Sequence, residues 1–220
     1  MHPREECKDK MLNKEKALSL LQLLDERYPE AGCALNYDGD KFRLLIAVVL
    51  SAQTTDKAVN LATPALFERW PDAEALSLAD PSEVSEYIHS IGMYKTKSNN
   101  IVALSKMLTE EYGGKVPDSE EELIRLPGVG RKTANVVRSE GFGQPAIAVD
   151  THVFRVSNRT GLAKGKTPDE VEKALKKKLP KELWSHAHHL LIFHGRYTCH
   201  ARRPECESCV LASLCERHGV

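Results

Sequence analysis

The chain has 220 residues, with 31 Lys+Arg against 31 Asp+Glu and a formal charge of zero. That length supports a sizeable core in one large domain or two small ones, and neutrality argues weakly against a nucleic-acid partner. The charge is unevenly placed: from Pro145 onward there are 13 Lys+Arg against 8 Asp+Glu, and 18 against 23 before it. A cationic face in the C-terminal part therefore stays open beside the reading of ordinary solvated helix surface. The N-terminus, Met-His-Pro-Arg-Glu-Glu, lacks the apolar core of a secretory signal. The longest apolar run, Leu44 to Leu50, is too short to cross a bilayer. A soluble, cytoplasmic protein without a membrane partner is expected, its cysteines reduced or metal-bound rather than paired.

The apolar spacing is helical almost throughout. Leu18, Leu21, Leu24 and Tyr28 mark one face of a first helix, which Pro29 closes. Phe42 to Ala52 predicts a strongly apolar, central helix. Asp80-Pro81 supplies an N-cap and an N1 proline, with Gly92 as a stop. Thr96 to Tyr112 predicts an amphipathic helix ended by Gly113-Gly114. Ser119 and Glu122 have capping-box spacing for a short helix that ends at Pro127. Arg131 to Glu140 follows, stopped by Gly141 and Gly143; Asp150 can cap Thr151 to Arg159. Thr167, Pro168 and Glu170 start a helix that Pro180 ends, and Trp184 to His194 forms the last one. No stretch alternates like a strand, so the fold class is all-α.

Two segments carry chemistry. Leu126 to Lys132 reads Leu-Pro-Gly-Val-Gly-Arg-Lys, a glycine hairpin feeding a helix. The N–H groups of Gly128, Val129 and Gly130 and the positive helix end suit a phosphate. Lys132, in the first turn, is then either a further phosphate contact or a nucleophile. Four cysteines, Cys199, Cys206, Cys209 and Cys215, are spaced C-x6-C-x2-C-x5-C. Such a wrap can hold a zinc ion or a [4Fe–4S] cubane; with only one CxxC pair and loose outer spacings, the larger cubane is favoured. Arg202 and Arg203, between the first two cysteines, would form a fixed cationic knob facing DNA phosphates or solvent. His186, His188, His189 and His194 lie on an apolar helix without a second ligand set and read as packing and surface residues. Cys7 and Cys33 read as buried or free thiols.

These segments resemble the endonuclease III family of helix-hairpin-helix DNA glycosylases. The matching residues are Leu126–Val137 (LPGVGRKTANVV), Val149–Arg159 (VDTHVFRVSNR), His194–Cys199 (HGRYTC) and the four-cysteine spacing, with Leu50–Asp56 and Ile91–Tyr94 in support. The resemblance runs from about Leu18 to Cys215. It implies a six-helix barrel domain carrying the helix-hairpin-helix over 34–144. It also implies a helical iron-sulfur cluster domain assembled from 1–33 and 145–220, with a DNA-binding cleft between the two.

The implied activity is bifunctional: removal of an oxidised pyrimidine from double-stranded DNA, then strand cleavage by β-elimination at the abasic site. Lys132 stands at the family's nucleophile position, and an amine is required because only an imine acidifies the 2′ hydrogen enough. A helix N-terminus, burial and neighbouring cations are the means of keeping that amine neutral. Asp150 corresponds to the catalytic carboxylate, while as an N-cap it would also be held in one orientation. Flipping the nucleotide out leaves a gap. Gln53 would hydrogen-bond the orphaned base, and Met93, where relatives often carry leucine, would wedge into the stack. Gly128, Val129, Gly130 and Arg131 would contact the backbone, with hairpin carbonyls also able to hold a monovalent cation, and His152 would shape the site. Contacts of this kind read no sequence and are salt-sensitive. A monomer is the expected state. Two alternatives are an adenine-mismatch glycosylase, which usually lacks the lysine and carries a further C-terminal domain, and a non-catalytic DNA-binding iron-sulfur module.

Overall fold

The computed structural model describes the backbone from Pro3 to Val220 and the side chains from Lys14 onward; Cys7 lies outside the described side chains. Among the described residues there are helices and turns and no strand. The chain forms two compact units, Ala34–Gln144 and a discontinuous one that joins the segment up to Cys33 with Pro145–Val220.

In the Ala34–Gln144 unit, α2 (Lys41–Leu50) is the central element. Asp40 caps it, accepting from the Arg43 amide at 2.9 Å. From Leu44 onward its residues are apolar on every face, and Leu44, Leu45, Ile46, Ala47 and Leu50 are completely buried. Each large one contributes about 1.5–3 kcal/mol by leaving water. Helices α3 (Asp56–Arg69), α6 (Tyr94–Tyr112) and α8 (Arg131–Phe142) pack on it, α4 (Ala73–Ser77) and α5 (Pro81–Tyr87) pack on α6, and α7 (Glu120–Leu123) packs on α8. Helix α8 packs closely on α2: a Cβ on Gly141 would lie 3.1 Å from Leu44 Cδ2.

Several sequence expectations need correction here. Gly141 does not stop α8; it lies inside the helix, where the missing side chain admits α2, and Gly143 in the left-handed region is the cap. Gly92 does not end α5, which closes at Tyr87 with Ile88 as its cap. Helix α7 ends at Leu123, short of Pro127. Its capping box is half-formed: Ser119 Oγ accepts from the Glu122 amide, but the Glu122 carboxylate bonds that hydroxyl. The unit holds seven helical segments, two of which the apolar periodicity does not reveal. Helix α4 is five residues long, too short for periodicity to show it, and α3 runs on through Pro64, which reads in sequence as a break.

The second unit packs α1 (Pro3–Arg27), α9 (Thr151–Thr160), α10 (Pro168–Lys178) and α11 (Trp184–Tyr197) around one core. Leu20, Leu24, Val153, Val156, Val171, Leu175, Leu190 and Leu191 meet there, and Leu211 joins from the cysteine segment. Thr167 caps α10 with Pro168 in its first turn, and Gly161 ends α9 in the left-handed region. Both ends of α9 are thus fixed by local chemistry, and the two ends carry different functional groups.

Candidate active site and metal centre

The hairpin Leu126–Gly130 depends on its glycines. Gly128 has φ +79, and a Cβ there would lie 2.9 Å from Asn100 Nδ2 and 3.0 Å from Asn100 Cβ. The turn therefore lies flat on α6. Val129 is buried and bonds back to the Leu126 carbonyl at 3.0 Å. Gly130 is the N-cap of α8 and offers no side-chain cap; the first turn holds no acid. The leading N–H groups of α8 are left for an anion. Arg131 and Lys132 follow, both exposed. Arg131 Nε lies 3.2 Å from Glu120, whose other oxygen lies 3.2 Å from Arg138. Lys132 is open to solvent in the first turn of α8, where an incoming strand can reach its amine.

Gln53 and Met93 are both exposed and both sit in the left-handed backbone region, at φ 53 and φ 58. Side chains rarely adopt that conformation without support from their surroundings. Gln53 lies on the turn after α2, and Met93 is the N-cap residue of α6.

In the other unit Asp150 caps α9. Its Oδ1 accepts from the amides of His152 at 2.9 Å and Val153 at 2.8 Å. Its Oδ2 makes no hydrogen bond among the described residues. Capping fixes the carboxylate and leaves one oxygen for other work. His152 is half-buried, with Arg155 Nη2 3.1 Å from its Nδ1. Burial lowers its pKa below the ordinary histidine value; Asp150 opposes this and Arg155 adds to it.

The four cysteines line one cavity with His194, Thr198 and Pro204. None is in a disulfide. Burial raises the Cys209 thiol, the Leu211 amide opposes it, and the Cys215, Cys199 and Cys206 sulfurs add further upward pressure. The sulfurs thus sense one another. Backbone amides reach them: Leu211 N–H to Cys209 Sγ at 3.4 Å and Arg217 N–H to Cys215 Sγ at 3.4 Å. Four thiols lining one cavity suit a multi-atom iron–sulfur group. Arg202 and Arg203 are exposed on the same segment, Arg203 at φ 53.

Sequence reasoning missed the residues that hold this segment. Arg155 Nε donates to the Cys199 carbonyl; Arg159 donates to the carbonyls of His200 and Ala201, with its Nη1 3.6 Å from Cys199 Sγ. Their spacing of four residues on α9 was the available signal. His194 is also more than packing. It is buried, with Nδ1 3.3 Å from the Tyr28 hydroxyl and Nε2 3.6 Å from Cys209 Sγ. Burial, then Arg27, pushes its pKa down to about 4, so the ring is neutral. His186, by contrast, pairs at the surface with Asp25.

Residues 46–181 match the family model described as HhH-GPD superfamily base excision DNA repair protein. Residues 199–215 match the iron-sulfur binding domain of endonuclease III. The chain is 50% identical to endonuclease III of Bacillus subtilis over 206 residues, 93% of this chain and 94% of that one. It is 48% identical to endonuclease III of Escherichia coli over 205 residues, 93% and 97% of the two chains. A solved structure of a trapped endonuclease III–DNA covalent intermediate superposes with a TM-score of 0.88 at 48% identity, covering 93% of this chain and 96% of that one.

Proposed function

This chain belongs to the endonuclease III branch of the HhH-GPD superfamily of base excision DNA repair proteins, and from that premise we infer how its residues work. It is a DNA N-glycosylase and AP lyase, with an iron–sulfur group on its C-terminal cysteines. Lys132 is the nucleophile. Its Nζ lone pair attacks C1′ of the damaged nucleotide, the C1′–N bond breaks, and the base leaves with the bonding electrons and a proton. The C1′–O4′ bond then breaks, O4′ takes a proton, and the opened sugar is joined to the lysine as an imine; this acidifies the 2′ hydrogen, whose removal expels the 3′ phosphate and nicks the strand. Asp150 takes up the lysine proton and stabilises positive charge developing on the sugar through its uncommitted Oδ2. The substrates proposed are oxidised pyrimidines and abasic sites in double-stranded DNA.

The hairpin amides of Gly128, Val129 and Gly130, with Arg131, hold the phosphates near the lesion, and the hairpin carbonyls can hold a monovalent cation. Gln53 bonds the orphaned base, Met93 fills the gap in the stack, and His152 shapes the site beside Asp150. Arg202 and Arg203 hold the backbone further along. Cys199, Cys206, Cys209 and Cys215 would hold a [4Fe–4S] cubane, which supplies a covalent crosslink fixing the segment that bears those arginines. The protein acts as a monomer in the cytoplasm.

The observation that carries this reading is the amine of Lys132 in the first turn of α8, a turn that itself holds no acid. The covalent DNA intermediate trapped in a relative of 48% identity supports it. Borohydride reduction on duplex DNA with an oxidised pyrimidine tests it: wild type should be captured on the DNA, and Lys132→Gln should not. An undiminished adduct in the variant, or none in wild type, overturns the lysine mechanism.

A further inference from the structure

Lys97 is a buried lysine that the proposed chemistry does not use. Only 4% of it is exposed, though it lies on α6 one turn past Met93. Its Nζ donates to the carbonyl of Leu50 at 2.8 Å and to Thr54 Oγ1 at 2.8 Å. Leu50 is the last residue of α2, whose final carbonyls lack helical partners. Thr54 follows Gln53 on the turn that leads to α3. The backbone amide of Lys97 donates to the Met93 carbonyl at 3.0 Å. One residue therefore grips the turn of Gln53 with its side chain and the turn of Met93 with its backbone. The two turns also touch: a Cβ on Gly92 would lie 3.9 Å from Thr54 Oγ1 and 4.0 Å from the Gln53 carbonyl oxygen.

A buried ammonium loses hydration and must recover it from neighbours. An apolar side chain would fill the same space without that penalty. Two turns carrying exposed residues in the left-handed region, by contrast, need something to hold them there. The chain spends a buried charge where both are within reach.

We propose that Lys97 is a positioning residue for nucleotide flipping, locking the Gln53 and Met93 turns into one rigid two-finger unit that enters the duplex together. The proposal rests on the gap-filling roles given above to Gln53 and Met93. It separates two demands on the enzyme. Opening a paired duplex needs both fingers in register; cleaving an abasic site in single-stranded DNA needs neither, because there is no opposite base and no continuous stack.

The test compares Lys97→Met, which keeps the length and apolar stem, with wild type on two substrates under single turnover. One is a duplex with an oxidised pyrimidine, scored for base release; the other is a single-stranded abasic oligonucleotide, scored for nicking. The variant should lose roughly 10- to 100-fold on the duplex, the scale of misplacement by about an ångström, and less than about threefold on the single strand. A 2-aminopurine placed opposite the lesion should show a smaller fluorescence rise on binding. Thr54→Val, which removes one acceptor without touching the lysine, should shift the same ratio in the same direction, and Thr54→Ser should restore it. These two keep the test intact should Lys97→Met not fold. Equal losses on both substrates, or an unchanged ratio in Lys97→Met and Thr54→Val, would overturn the proposal. If wild type is not captured by borohydride on the lesion duplex, the failure lies in the lysine mechanism and not in the role of Lys97.

Discussion

Arg155 on α9 donates from Nε to the carbonyl oxygen of Cys199 at 3.0 Å. One turn on, Arg159 donates to the carbonyls of His200 at 2.6 Å and Ala201 at 3.0 Å. Two arginines of one helix thus hold the backbone of Cys199, the first of the proposed cluster ligands, and of its two neighbours. Arg159→Met keeps much of the apolar stem and loses both bonds. The expected cost is about 1.5–3 kcal/mol, that of a hydrogen bond from a charged donor. The purified variant should also lose iron faster than wild type to a chelator, followed by the fading of its visible absorbance.

Asp150 can be split into its two tasks by choice of substitution. Asparagine still offers an oxygen to the amides of His152 and Val153, so Asp150→Asn should melt within a few degrees of wild type. Base release should nevertheless fall by about 10²–10⁴-fold, the range for losing a general base. Asp150→Ala should lose similar activity and, in addition, about 1 kcal/mol of stability from the missing cap. Equal activity in Asp150→Asn and wild type would reduce Asp150 to a cap.

Gly128→Ala meets two obstacles at once, a φ of +79 and Asn100 Nδ2 2.9 Å from the new carbon. A destabilisation of about 1–3 kcal/mol follows from the backbone alone. Because the turn must shift off α6, affinity for undamaged duplex should also fall, and to the same degree for every sequence. Fluorescence anisotropy with two unrelated duplexes checks both points.

His152 binds its proton less tightly in the folded protein than in the unfolded chain, chiefly through burial. Between its lowered folded value and the ordinary 6.5, the unfolded state therefore takes up more protons. Stability contributed by neutral His152 is complete above that window and declines as pH falls through it. The difference in urea midpoint between wild type and His152→Gln should change in wild type's disfavour from about pH 8 to about pH 5. A pH-independent difference would count against it.

Much of this molecule is legible from sequence wherever a single residue decides local geometry. Asp80, Thr167 and Asp150 cap the helices they precede, and Gly113 and Gly143 close theirs. Reading failed where geometry is set across distance. Gly141 looks like a helix stop, yet its role is fixed by Leu44, nearly a hundred positions earlier. Helix α3 was hidden because Pro64 lies inside it. His194 looks like one more histidine on an apolar stripe until the fold brings Cys209 and Tyr28 to its two nitrogens. Lys97 is the clearest case: lysine in an amphipathic helix reads as solvated, and only packing reveals that its charge points inward.

Glu120 joins Arg131 and Arg138 beside the hairpin. If Arg131 meets a DNA phosphate as proposed, that phosphate is a competitor and not a first guest: it must displace a carboxylate already in place. Each such exchange would weaken the hold on ordinary DNA by the same amount, whatever the sequence, and shorten every dwell. For a protein that must inspect many sound nucleotides to find one damaged one, a grip that lets go readily sets the pace of patrol.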